Sequence, residues 1–159
     1  PFQAAILIHN YSGIILVANY IIFIIGNRIT KNGEYYHFPF NGMFIRVFTQ
    51  FKYYSIGIFK KEKAPYPITI KRKFNPLQKL SYVMVMYLFM PIIVITGIAL
   101  FYPDLLPSNI LNFSGIHFID LIHIITGFAL SVFLVIHVYF CTIGKTKSAN
   151  FKSMINGWH

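Results

Sequence analysis

Three long stretches without a charged side chain constrain this chain more than anything else in it. Residues 1–27, 80–103 and 121–144 contain no Asp, Glu, Lys or Arg, and Ile, Leu, Val and Phe dominate each of them. In hydrocarbon every backbone N–H and C=O must find its partner inside the segment, which makes a helix the stable form of such a run. At 1.5 Å per residue, about 20 apolar residues cross a hydrocarbon core of roughly 30 Å. The expected fold is an all-α membrane protein, a transmembrane helical bundle with spans over about 3–26, 79–102 and 117–143. None of the three has the basic start and small-residue cleavage site of a secretory signal.

The charges occupy what is left. Eleven of the fourteen Lys and Arg lie in residues 28–79, against four acids in the whole chain of 159 residues and a formal net charge of +10. A chain this basic that is also 56% hydrophobic and 11% charged argues against a soluble enzyme, a disordered tail and a DNA-binding domain. Cation bias sets orientation: the basic loop 28–78 and the tail 145–159 are expected in the cytoplasm, and the 103–116 loop outside. The cations serve topology beside anionic lipid, and no nucleic-acid partner is expected. The single cysteine, Cys141, excludes an internal disulfide, a CxxC motif and a self-contained iron–sulfur cluster.

The loop carries pattern of its own. Over 42–59, Phe44, Val47, Phe48, Phe51, Ile56 and Phe59 recur at near-helical spacing, interrupted by Arg46, Gln50 and Lys52. This predicts a helix lying in the cytoplasmic interface, ended by Pro65 and Pro67. Phe74-Asn75-Pro76 reads as a helix start, with Asn75 as N-cap and Pro76 in the first turn.

Three histidines, His9, His123 and His137, fall inside apolar runs. Ionisable groups in hydrocarbon are costly and face a bundle interior where something satisfies them. His123 and His137 are 14 residues apart. That places them within about 40° of one helix face and about 21 Å apart along it, too far for one metal ion and suited to two sites. By the charge argument the first and last helices both run inward, so His9 and His123 share a depth near the outer face. Two imidazoles from facing helices in an apolar bundle suit the axial positions of haem iron. Zinc would want four ligands, for which the Cys and carboxylate partners are lacking. His117 is six residues from His123 and turned to another face. Gly13 and Gly127 each follow a histidine at i+4 and would let a flat macrocycle lie against the backbone; small-residue helix packing explains them as well. Gly97, in Ile95-Thr96-Gly97, poses the same choice.

These stretches resemble a known family. His123-IITGFALSVFLVI-His137-VYF resembles the fourth helix of the bacterial di-haem cytochrome b subunits of thiosulfate reductases and formate dehydrogenases, which are prokaryotic cytochrome b561-like. Lys73-Phe-Asn-Pro-Leu-Gln-Lys79-Leu-Ser-Tyr82 with Pro91-IIVITGIAL resembles their third helix, and Ser148–Trp158 their tail. The resemblance implies four membrane helices and two b haems, of which this sequence matches helices two to four. It implies His9 and His123 as axial ligands of the outer haem and His137 as one ligand of the cytoplasmic-side haem, the partner of His137 coming from further sequence or from another chain, or not existing. It implies electron transfer between menaquinone or ubiquinone and an iron–sulfur or cytochrome subunit on the outer face, beside a catalytic oxidoreductase subunit, in the bacterial cytoplasmic membrane. Asn75, Gln78, Lys79 and Tyr82 are the expected contacts for quinone or a haem propionate; Lys79 could equally be a positive-inside anchor. The alternatives are the cytochrome b subunit of a nickel–iron hydrogenase, or a haem-free membrane anchor whose histidines bridge helices.

Overall fold

The computed structural model describes residues 2–37, 41–67, 69, 74–142, 148 and 151–152. The cations Lys71, Arg72 and Lys73, and most of the expected tail with Lys145, Lys147 and Trp158, lie outside the described residues. Among the described residues three helices are long and apolar enough to cross a membrane: Phe2–Ile29, Pro76–Phe101 and Gly115–Cys141. Each is longer than the roughly 20 residues that crossing a hydrocarbon core requires. The protein is an all-α membrane bundle. Its exposure pattern is inverted relative to a soluble domain. Ile8, Ile15, Ile22, Phe128 and Val135 are exposed, while Asn27, Gln50, Asn75, Thr96 and Thr126 are among the buried side chains. Acyl chains can cover the apolar surface, and the polar groups turn inward to find one another.

Two compact units divide the chain, Pro1–Val94 and Ile95–His159. In the first, helix α1 is Phe2–Ile29. A 3-10 turn over Asn32–Tyr36 follows, begun by Lys31 in the left-handed region at φ 56°. Asn32 Nδ2 donates to Asn27 Oδ1 at 2.8 Å and ties this turn to the end of α1. Tyr36 then stands among rings from both spans, with centroids 5.7 Å from Phe23, 5.9 Å from Tyr87 and 5.5 Å from Phe74. Burial among these rings, and then the neighbouring Tyr87 phenol, raise the Tyr36 pKa above its ordinary value.

Helix α2, Met43–Lys52, continues into a π turn over Tyr53–Gly57, where Ile58 N–H bonds to Tyr53 C=O. Met43 and Gln50 are buried, whereas Phe44, Phe48 and Phe51 are exposed. A helix with one packed face and one bare apolar face flanked by Lys52, Lys60 and Lys61 has the character of an interfacial segment.

The second span is built of α3, Pro76–Met84, a π turn over Val85–Phe89, and α4, Met90–Phe101. Pro91 accounts for the π turn. It has no N–H, and its ring pushes away the carbonyl one turn earlier. Met90 N–H bonds to Val85 C=O, five residues back. The Met86 carbonyl therefore faces two regular donors, Met90, which is committed to Val85, and Pro91, which has no N–H. Tyr20 of α1 fills the vacancy, its hydroxyl donating to Met86 O at 2.9 Å.

In the second unit, the loop after α4 forms a small antiparallel hairpin, β1 (Asn109–Ile110) with β2 (Phe113–Ser114). Leu111 and Asn112 both have positive φ, 50° and 67°, as a two-residue hairpin turn of the primed type requires. Helix α5, Gly115–Cys141, starts at a glycine because a Cβ there would overlap the Pro107 carbonyl oxygen.

Candidate haem-ligand site

The second unit places His123 of α5 against α4. Thr96 of α4 is 5% exposed, and its hydroxyl lies 2.9 Å from His123 Nδ1. The next residue, Gly97, completes the seat: a Cβ on it would come 3.2 Å from His123 Cε1 and 3.8 Å from Nδ1. The Nδ1–Cε1 edge of the imidazole thus rests on the α4 backbone. Gly97, expected to clear a macrocycle or to let helices pack, in this structure clears the imidazole itself. The triplet Ile-Thr-Gly recurs in α5 as Ile125-Thr126-Gly127, with Thr126 buried.

The chemistry of the pair follows from proton count. A neutral imidazole carries one proton. When Nδ1 holds it and donates to the threonine oxygen, Nε2 keeps a lone pair and becomes a metal-ligating atom. A hydrogen bond on one ring nitrogen is the usual device that fixes tautomer and orientation of a ligating histidine. His123 therefore fits an axial haem ligand through Nε2. Among the described residues no three His, Cys, Asp or Glu side chains converge on a metal site of their own.

His137 lies one turn from Phe133 and one turn from Cys141 on the same helix. Its ring stacks on Phe133 with centroids 5.5 Å apart and an interplanar angle of 17°. The buried Cys141 thiol stands 3.9 Å from His137 Nε2, at the weak limit of a sulfur hydrogen bond. His9 is an exposed residue of α1. A Cβ added at Gly13, one turn later, would meet nothing within 4 Å.

At the start of the second span the expected polar residues are engaged in structure. Asn75 Oδ1 accepts from Gln78 N–H at 2.9 Å, and Gln78 Oε1 accepts from Asn75 N–H at 3.1 Å, a reciprocal capping box. Asn75 Nδ2 donates to the Tyr54 hydroxyl at 3.0 Å. Burial raises the Tyr54 pKa, opposed by hydrogen bonds from Asn75 and Gln50. Gln50 is 2% exposed, and its Oε1 has no hydrogen-bond partner among the described residues. Tyr82 packs edge-on against Phe74, with centroids 5.1 Å apart. Lys79 is half-buried, and its backbone N–H bonds to Asn75 C=O at 2.9 Å. Thr96, Gln50 and Tyr54 escaped the sequence reading. For Thr96 the signal was present, a hydroxyl inside the apolar run that also holds Gly97.

The sequence pattern described as prokaryotic cytochrome b561 matches residues 1–157. A protein named "Putative cytochrome YdhU" from Escherichia coli (strain K12) is 34% identical over 158 residues, 99% of this chain. The chain spans 59% of the length of that relative. No solved structure matches.

Proposed function

The chain belongs to the prokaryotic cytochrome b561 family, and on that premise we propose that it is the haem b-carrying, quinone-reactive membrane subunit of a respiratory oxidoreductase of the thiosulfate reductase or formate dehydrogenase type. Family membership implies haem b. Bound there, it would supply a one-electron Fe(III)/Fe(II) couple whose potential depends on axial ligand, hydrogen bonding and burial. The protein's own part is to hold that couple at two depths and keep water from it. His123 and His9 are the proposed axial ligands of the outer haem, and His137 is one ligand of the cytoplasmic-side haem. The apolar surfaces of α1 and α5 supply the dry surroundings. Gly13 and Gly127 leave the ring edge its room.

In this reading the basic loop 28–78 and the tail face the cytoplasm, and the hairpin loop faces an external iron–sulfur or cytochrome subunit beside a catalytic subunit. Quinone, menaquinone or ubiquinone, exchanges electrons near the cytoplasmic haem. Because Asn75 and Gln78 are committed to the capping box, Lys79 and Tyr82 are the stronger candidates for quinone or propionate contact.

The observation that carries the reading is the His123 imidazole, fixed through Nδ1 by a buried hydroxyl within an apolar helix pair. A reduced-minus-oxidised spectrum of the purified protein tests it, with the α-band of b haem expected. His123→Ala should remove one haem and leave the other largely intact. Loss of both, or of neither, would overturn the ligand assignment.

A further inference from the structure

We propose that Thr96 is a positioning residue for the haem: its hydroxyl oxygen accepts a hydrogen bond from His123 Nδ1–H, which leaves Nε2 for the iron and lowers the reduction potential of that haem. The inference rests on His123 being an axial ligand, as read above.

Three features of the seat argue for it. The 2.9 Å separation of Thr96 Oγ1 and His123 Nδ1 is that of a well-formed hydrogen bond. Gly97 brings the α4 backbone against the same edge of the ring, so the imidazole is held by a bond and by a close approach from consecutive residues. Thr96 is β-branched and stiff about χ1, and being buried it has few ways to turn its oxygen elsewhere.

The direction of the proton follows from ligation. A threonine hydroxyl can donate or accept. If it donated to Nδ1, the imidazole proton would sit on Nε2 and block the iron. Ligation therefore selects Nδ1–H donating to Oγ1, while a helical threonine can pass its own proton to a carbonyl one turn back. Ligand basicity rises when Nδ1–H is hydrogen-bonded, and a more basic ligand favours ferric iron. Carboxylates are frequent partners of ligating histidines, yet a charge at this depth is expensive in a bilayer. A hydroxyl gives the orientation and a milder push without a charge.

Potentiometric titration of the purified full chain, with the electron paramagnetic resonance spectrum of the ferric protein alongside, tests this. Thr96→Val keeps the shape and removes the hydroxyl; Thr96→Ser restores it. In Thr96→Val the ferrous form of one haem should be favoured by up to about tenfold, a rise of about 59 mV for a one-electron couple. Thr96→Ser should titrate as the wild type. Loss of that haem from the Val variant alone would support the same role. An unchanged potential in Thr96→Val, an equal shift in both variants, or loss of the haem from both would overturn it. The His123→Ala spectrum separates the two readings. A haem lost there while Thr96→Val titrates as wild type refutes only the positioning role; full haem content in His123→Ala refutes the ligand assignment beneath it.

Discussion

Removing the Tyr20 hydroxyl should destabilise the first unit because of a proline 71 positions away. Pro91 leaves the Met86 carbonyl without a helical donor, and Tyr20 OH supplies one at 2.9 Å. In Tyr20→Phe that carbonyl is stranded in an apolar, water-poor setting. An unsatisfied buried polar group costs about 1–3 kcal/mol. Interhelical hydrogen bonds measured in bilayers average lower, about 0.6 kcal/mol, because the separated helices find other partners. Here that discount is small, since separating the helices gives Met86 no backbone N–H while Pro91 stays in place. The expected loss is therefore about 1–2 kcal/mol. Unfolding by added SDS in mixed micelles, followed by circular dichroism, measures it. The decisive comparison is a double-mutant cycle with Pro91→Ala. An alanine restores the N–H at 91, lets the π turn relax to α, and frees Met90 N–H for Met86 C=O. Tyr20→Phe should then cost under about 0.5 kcal/mol, a coupling of roughly 1 kcal/mol between the two sites. Equal cost in the two backgrounds would refute the reasoning, as would no cost in the wild type.

Three further outcomes follow from the geometry. Gly97→Ala would push a Cβ to 3.2 Å from His123 Cε1, so the ring must yield by a few tenths of an ångström; the potential or ferric spectrum of one haem should change while helicity holds, and an unchanged spectrum counts against the seat. Gly13→Ala meets no protein atom within 4 Å and should gain helix propensity by up to about 1 kcal/mol, so a drop in haem content in that variant reports the macrocycle, and full haem content removes Gly13 from the proposed site. Asn75→Ala removes the capping box and the bond to Tyr54 together, which should cost about 1–2 kcal/mol of stability in the same SDS titration; a stability equal to that of the wild type would show that the cap contributes nothing.

What the sequence made legible, and what it did not, divides along a physical line. The three spans and the Asn75 start could be read because each is a local requirement: a run must be apolar to cross, and a helix must satisfy its first N–H groups. Phe74-Asn75-Pro76 carries its own instructions within three residues. The bonds that join elements carry none. Thr96 and His123 are 27 positions apart, and no periodicity in either helix says which residue meets which. Pro91 stands inside an apolar run expected to be one continuous helix, and its consequence, a π turn with a carbonyl handed to Tyr20, depends on what α1 presents at that height. The same limit explains Asn75 and Gln78. Polar residues near a membrane face suit a quinone or a propionate by composition alone, and the structure shows their amide oxygens accepting from the backbone they begin. In a bilayer the apolar pattern loses its power to say which face is inward, because lipid and protein interior are alike in polarity. Thr96 and Thr126, buried inside apolar spans, are polar positions that mark such a surface. In a chain of this kind the hydroxyls and amides inside apolar runs, more than the apolar stripes, are the guide to which surfaces meet.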